Sequence, residues 1–226
     1  MPTNFDQMVD GAQENPAPVE DEIEPVEDGH SSVVLANFST KVEFGSEDLV
    51  IPRLRLAQGL TGEVQDGSAK PGQWLLTGYP PADNLTIIPL LFSRNRALRD
   101  DAGGVQCRST DSVVGIGTPG GVCSQCPMNT WADGPKGERI PPVCVFSYTY
   151  ICYVTEHDTI AMIDFRRTSI QAGKTLNTIV AQRGIANFAV KLHNNKQQGK
   201  RGTFYQMVVQ PVQVSAEMLE KARNFI

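Results

Sequence analysis

The chain has 226 residues, 40 % of them hydrophobic, with 20 Lys and Arg against 25 Asp and Glu, a formal charge of −5. No run approaches the roughly 20 apolar residues of a membrane helix, and the first residues lack the basic and apolar regions of a secretory signal. The expectation is one domain with an appendage, in the cytoplasm, where five cysteines suggest a metal site before disulfides.

The charge is unevenly spread. Residues 1–40 hold nine acids and no Lys or Arg, so the other residues carry a net +4. Residues 1–31 are acidic, rich in Pro and poor in bulky apolar groups, the composition of a disordered tail. Residues 32–226 are expected to form the folded domain. Arg and Leu alternate from Arg53 to Leu56, the period of a half-exposed strand. Gln73–Thr77 and Leu85–Phe92 are further strands. Pro89 makes the second of these an edge strand or one with a bulge. Between about 103 and 144 the chain is rich in Gly and Pro, with little strand pattern. Val143–Val154, the turn Thr155–Asp158 and Thr159–Arg166 read as a hairpin. Ser169 reads as the N-cap of an apolar stripe of Ile170, Leu176, Ile179 and Val180 that ends at Gly184, the pattern of a helix. Phe188–His193 and Thr203–Val214 are again strands, and the polar, basic stretch 194–202 reads as a loop between them. Ser215 caps a last helix. The fold class expected is mainly β (β-rich α+β): an OB-like barrel with one internal helix, a C-terminal helix and an inserted four-cysteine zinc subdomain.

The cysteine spacing carries the most specific chemistry. Cys123 and Cys126 form a Cys-x-x-Cys pair, and Cys107 and Cys144 flank it at 15 and 17 intervening residues. Two thiolates two residues apart can face one ion, and two distant ones complete a tetrahedron. A structural Zn2+ held by Cys107, Cys123, Cys126 and Cys144 is therefore expected. Cys152 lies on an apolar strand face and reads as core. No histidine set, Walker motif or nucleophile elbow is present, so no enzyme is expected.

Basic residues cluster as Arg53 with Arg55; Arg94, Arg96 and Arg99; Arg166 with Arg167; and Lys196, Lys200 and Arg201. Aromatic residues lie near several of them, among them Trp131, Phe204 and Tyr205. Single-strand binders combine cations for phosphates with rings for bases.

From about Val143 to Ile226 the order of features resembles the single-stranded DNA-binding proteins of tailed bacteriophages. The resemblance rests on a tyrosine-rich strand and on Arg166-Arg167-Thr168-Ser169-Ile170 leading into a helix with Lys174. It continues through Asn194-Asn195-Lys196 to Gly202-Thr203-Phe204-Tyr205 and a terminal helix. The cysteine segment looks like a zinc subdomain added to that core. The resemblance implies a non-catalytic protein of phage DNA replication or recombination, in the host cytoplasm. Single-stranded DNA is the implied ligand. Arg94, Arg96, Trp131, Arg166, Arg167, Lys174, Lys196, Lys200, Arg201 and Tyr205 are the implied contacts. The strand is expected to lie in a groove between loop 194–202 and the Arg94/Arg96 region, and the acidic tail to compete for that groove or to recruit replication or recombination proteins; a homo-oligomer is allowed and no membrane is involved. The rival expectation is a zinc-stabilised virion or assembly protein that binds no DNA.

Overall fold

The structure, a computed structural model, describes residues 50–135, 137–199 and 202–226. The chain divides into residues 1–32 and 33–226. The tail expected over 1–31 lies outside the described residues, as do Lys136, Lys200 and Arg201.

Twelve strands and three α-helices are described. The strands are β1 (Arg53–Leu56), β2 (Trp74–Leu76), β3 (Leu85–Arg99), β4 (Val105–Ser109), β5 (Val114–Gly117) and β6 (Gly121–Val122), then β7 (Ala132–Asp133), β8 (Arg139–Ile140), β9 (Val145–Val154), β10 (Thr159–Arg166), β11 (Ala189–Gly199) and β12 (Gly202–Val212). The helices are α1 (Gly62–Gln65), α2 (Ile170–Arg183) and α3 (Ala216–Arg223). One large mixed sheet runs β2-β1-β10-β9-β3-β4-β5-β6, with β11 and β12 branching from β3. Among the described strands only β1 and β10 pair in parallel.

The long strand β3 organises this sheet. One edge pairs with β9 along most of its length, and the other pairs first with β11 and then with β4. Pro89 cannot donate to a ladder, and the register with β9 slips between Pro89 and Leu91. The proline is thus absorbed by a bulge in a central strand, not at an edge. In β1 the alternation of Arg and Leu becomes an alternation of exposed and buried positions. Leu54 and Leu56 join Trp74, Ile87, Tyr150, Ile163, Phe165, Leu176 and Leu192 in the main core, which α2 covers. Helix α3 packs on a second cluster around Ile88, Tyr153 and Ala222. Its Ser215 accepts a hydrogen bond from the Met218 N–H, as a cap should.

Four expectations need correction. First, the sheet does not close into a barrel by a main-chain ladder. The Gln58 side chain instead donates to the Tyr205 carbonyl (2.8 Å) and accepts from the Tyr205 N–H (2.9 Å). Asn194 Nδ2 donates to the Gly72 carbonyl nearby. A side-chain amide thus bridges the segment after β1 to β12. Second, residues 194–199 and Gly202 are strand, not loop. The ladder of β11 and β12 continues to Gly199 opposite Gly202, with Lys196 opposite Tyr205. Third, the segment 103–144 carries the short strands β4 to β8 rather than irregular chain. Fourth, Ser169 precedes α2 as expected, but its hydroxyl accepts from Met207 N–H instead of capping the helix.

Candidate functional site

Beyond the apolar cluster under α3, the sheet face opposite α2 is polar. Strand alternation puts Arg53, Asp164, Thr149 and Ser93 across its middle rows, and Arg166, Ser147 and Asn95 beside them. Asp164 anchors this surface: its carboxylate accepts from Thr149 Oγ1 at 2.5 Å and from Arg53 Nη1 at 3.1 Å. Two adjoining clefts run over it. The first is lined by Arg53, Arg96, Arg99, Arg108, Arg166 and Arg167, with Asp100 and Asp164 as its acids. The second shares Arg53, Asp164, Arg166 and Arg167 and adds Arg55, Phe204 and Met207. Seven arginines thus face two aspartates along one groove. Arg55 pairs with Glu63. Among the described residues Arg108, Arg166 and Arg167 have no carboxylate within ion-pair distance. Arg167 has a φ of 50°, a left-handed conformation that side chains other than Gly seldom adopt and that clusters at functional sites.

The expected contacts separate in space. Arg96, Arg166 and Arg167 lie in the groove. Arg94 is exposed on the α2 side, in a shallow cleft with Phe92, Tyr148 and Tyr150. Lys174 is exposed on α2 and Lys196 on β11. Trp131 is 57 % exposed beside β7, with the Arg139 guanidinium 5.7 Å from its ring centre. Tyr205 is half-buried against the main core. Its ring lies so close to Gly72 that a Cβ there would stand 2.7 Å away. Lys200 and Arg201 lie outside the described residues. Sequence reasoning misses Arg108, although it follows Cys107 directly; it finds Arg53, Arg55 and Arg99 as clusters but not as one surface.

The four expected ligands do converge. Cys107, Cys123, Cys126 and Cys144 line one small cavity of about 10 Å³, together with Arg96, Arg108 and Asn129. Main-chain bonds tie their segments: Cys123 N–H donates to Val113, and Cys144 N–H donates to Met128. Even so, among the described residues no group of three or more His, Cys, Asp and Glu stands in ligand geometry for a metal. All four are thiols without disulfides. Burial raises the Cys144 thiol; Arg96 opposes the rise, and Cys123, Cys126 and Cys107 add to it.

Fold and site together define a strand-rich protein with an arginine-lined sheet face and a cysteine cluster; no helix among the described residues is long and apolar enough to cross a membrane. Residues 36–226 match the family described as Pam3 phage gp34-like protein, and the chain belongs to that family of bacteriophage proteins. No curated protein and no solved structure matches it.

Proposed function

We propose that this phage protein binds single-stranded DNA without catalysis, in replication or recombination, and that the strand runs along the arginine groove. The observation that carries the reading is that seven arginines and only two aspartates line one open sheet face. Arginines without carboxylate partners attract phosphates, and their neutralisation releases counterions from the strand. Half-buried Phe204 offers a ring in the same groove, and base stacking tolerates any sequence. The sheet curled about α2 and bridged by Gln58 supports an opened relative of the OB-like barrel, a fold suited to strands laid across its face. The acidic residues 1–31 act as a competitor for the groove or as a hook for replication proteins.

Fluorescence anisotropy of labelled oligonucleotides tests this on the full chain over a range of salt. Binding is expected to favour single strands over duplex and to ignore base sequence. The triple variant R108A/R166A/R167A is expected to flatten the slope of log K against log[salt] by about 0.7 for each lost contact, while melting at the wild-type temperature. Absence of salt-dependent binding overturns the reading. The virion or assembly reading then stands, favoured by the exposed Val113, Val114, Ile116 and Val122 beside the cysteines, and recovery of the protein from purified particles checks it.

A further inference from the structure

We infer that Cys107, Cys123, Cys126 and Cys144 hold one Zn2+ ion, and that this ion fixes a wall of the arginine groove through Asn129 and Arg96. The first half stands on the cysteine cluster alone; the second rests on the single-strand reading.

The segment that carries the cysteines has no core. Between Asp100 and Pro142 only Ser109, Gly115 and Cys123 are buried among the described residues. Val105, Val113, Val114, Ile116 and Val122 all stand about half exposed or more. Ordering a chain costs entropy that apolar burial normally offsets. Here that burial is missing, and small units in this position use a metal or disulfides. The thiols are not paired with one another, yet all four face one cavity with room for a single water-sized particle. The backbone is drawn tight around it. A Cβ on Gly115 would stand 2.9 Å from the Cys107 sulfur, and one on Gly117 would meet the Gln106 carbonyl.

The surrounding charge suits such an ion. Four thiolates and one Zn2+ leave a net charge of −2, and binding releases the four thiol protons to solvent. Arg96 and Arg108 line the cavity. The Arg96 Nε–H is buried without a hydrogen-bond partner, so a thiolate sulfur would satisfy a donor that otherwise has none. Four soft thiolates make a closed tetrahedral site, which is structural rather than catalytic.

Asn129 links this site to the groove. Its Nδ2 donates to the Cys123 carbonyl at 3.0 Å, and its Oδ1 accepts from Arg96 Nη1. Arg108 follows Cys107 on β4. The ion therefore holds both arginines where the strand is to pass.

Elemental analysis of the full chain, purified without added metal, is expected to give one zinc per chain. A mercurial reagent is expected to release it as the four thiols react. C123S is expected to hold less than a tenth of that zinc and to become open to protease within residues 100–144. N129A is expected to keep one zinc and to bind single strands about 3- to 10-fold more weakly. Zinc near zero with the four thiols freely reactive, iron in its place, or a mass two or four protons short from disulfides overturns the zinc site. If C123S does not fold, the wild-type stoichiometry and mercurial release still decide. One zinc with unchanged affinity in N129A overturns the link to the groove and leaves the ion. One zinc in a protein that binds no DNA removes both the link and the single-strand reading, again leaving the ion.

Discussion

Cys152 shows what separates a core thiol from a ligand. It is 0 % exposed, its S–H donates to the Ala161 carbonyl at 3.3 Å, and burial pushes it far above the ordinary thiol range. Since the thiolate is the reactive form, alkylation of the native protein at pH 8 should leave Cys152 unmodified in a mass spectrum of its peptides. Label at Cys152 before unfolding would contradict its place in the core. Tyr150 makes a similar distinction on the α2 side. Its hydroxyl donates to Asn177 Oδ1 at 2.6 Å, and burial, with a smaller effect of Tyr148, raises its phenol far beyond working pH. Y150F leaves the Asn177 oxygen without that donor and is expected to cost about 1–3 kcal/mol. Its melting temperature should fall while the salt slope of DNA binding stays as in wild type, because the ring points away from the groove. A changed slope would mean that the strand crosses the other face. Both roles follow from strand alternation, which is why the sequence already puts Cys152 on an apolar face. Arg96 is the opposite case. Nothing in its spacing announces a bond to Asn129, 33 residues on.

Elements that extend beyond the core are the hardest to read. In the outer half of β11 every residue is polar or Gly, so Asn194 to Gly199 shows no period-2 pattern of apolar residues and resembles a loop. The hydrogen-bond ladder, not burial, makes it a strand. The β9–β10 hairpin is legible because both strands bury apolar residues, β10 at alternate positions and β9 on both faces toward its end. The short strands β4 to β8 leave little pattern because they have next to no buried face. The tie between Gln58 and Tyr205 is a further product of topology, 147 residues apart in the chain. Q58A removes two part-buried hydrogen bonds and should cost about 1–3 kcal/mol. Faster amide exchange at Tyr205 would report the loosened hairpin, whereas unchanged protection would mean that core packing alone holds β12. Helix α3 is docked partly by charge. Lys221 Nζ lies 2.5 Å from Asp158 Oδ2. The Lys221 bond and then the Tyr153 bond lower the Asp158 carboxyl, and the Asp158 bond raises the Lys221 amine. The aspartate's contribution is present above its ordinary value of 3.8 and is lost as pH falls from there through the folded value. The lysine's is present below 10.5 and is lost as pH rises through the folded value. D158N, which suits the φ of 49° at this position, should therefore melt below wild type near neutral pH, with the difference shrinking below about pH 3.8. A difference that persists in acid would assign the effect to the turn, not to the charge.

For the molecule as a whole, the arginine groove is visible in the sequence only as scattered pairs. Arg53 and Arg55, Arg96 and Arg99, and Arg166 and Arg167 belong to three stretches of chain whose neighbours no local pattern reveals. The parallel pairing of β1 with β10, and the antiparallel pairing of β3 with β9 and β4, gather them. Residues 1–40 carry nine acids and no base, and the other residues a net +4. Charges joined by a chain stay at high effective concentration, so on the proposed single-strand reading the acids are expected to compete with phosphates for the same cations. Removal of residues 1–31 is expected to leave melting unchanged and to tighten binding to single strands at low salt. The advantage should fade as salt rises, because exposed charges are screened beyond about 8 Å at physiological ionic strength. The slope of log K against log[salt] should also steepen on truncation, since the arginines no longer exchange one set of anions for another and each phosphate contact then displaces salt ions. Anisotropy titrations of the full and truncated chains at four or five salt concentrations measure both quantities. Equal affinity at the lowest salt would show that the tail never reaches the groove, leaving it as a hook for a partner protein.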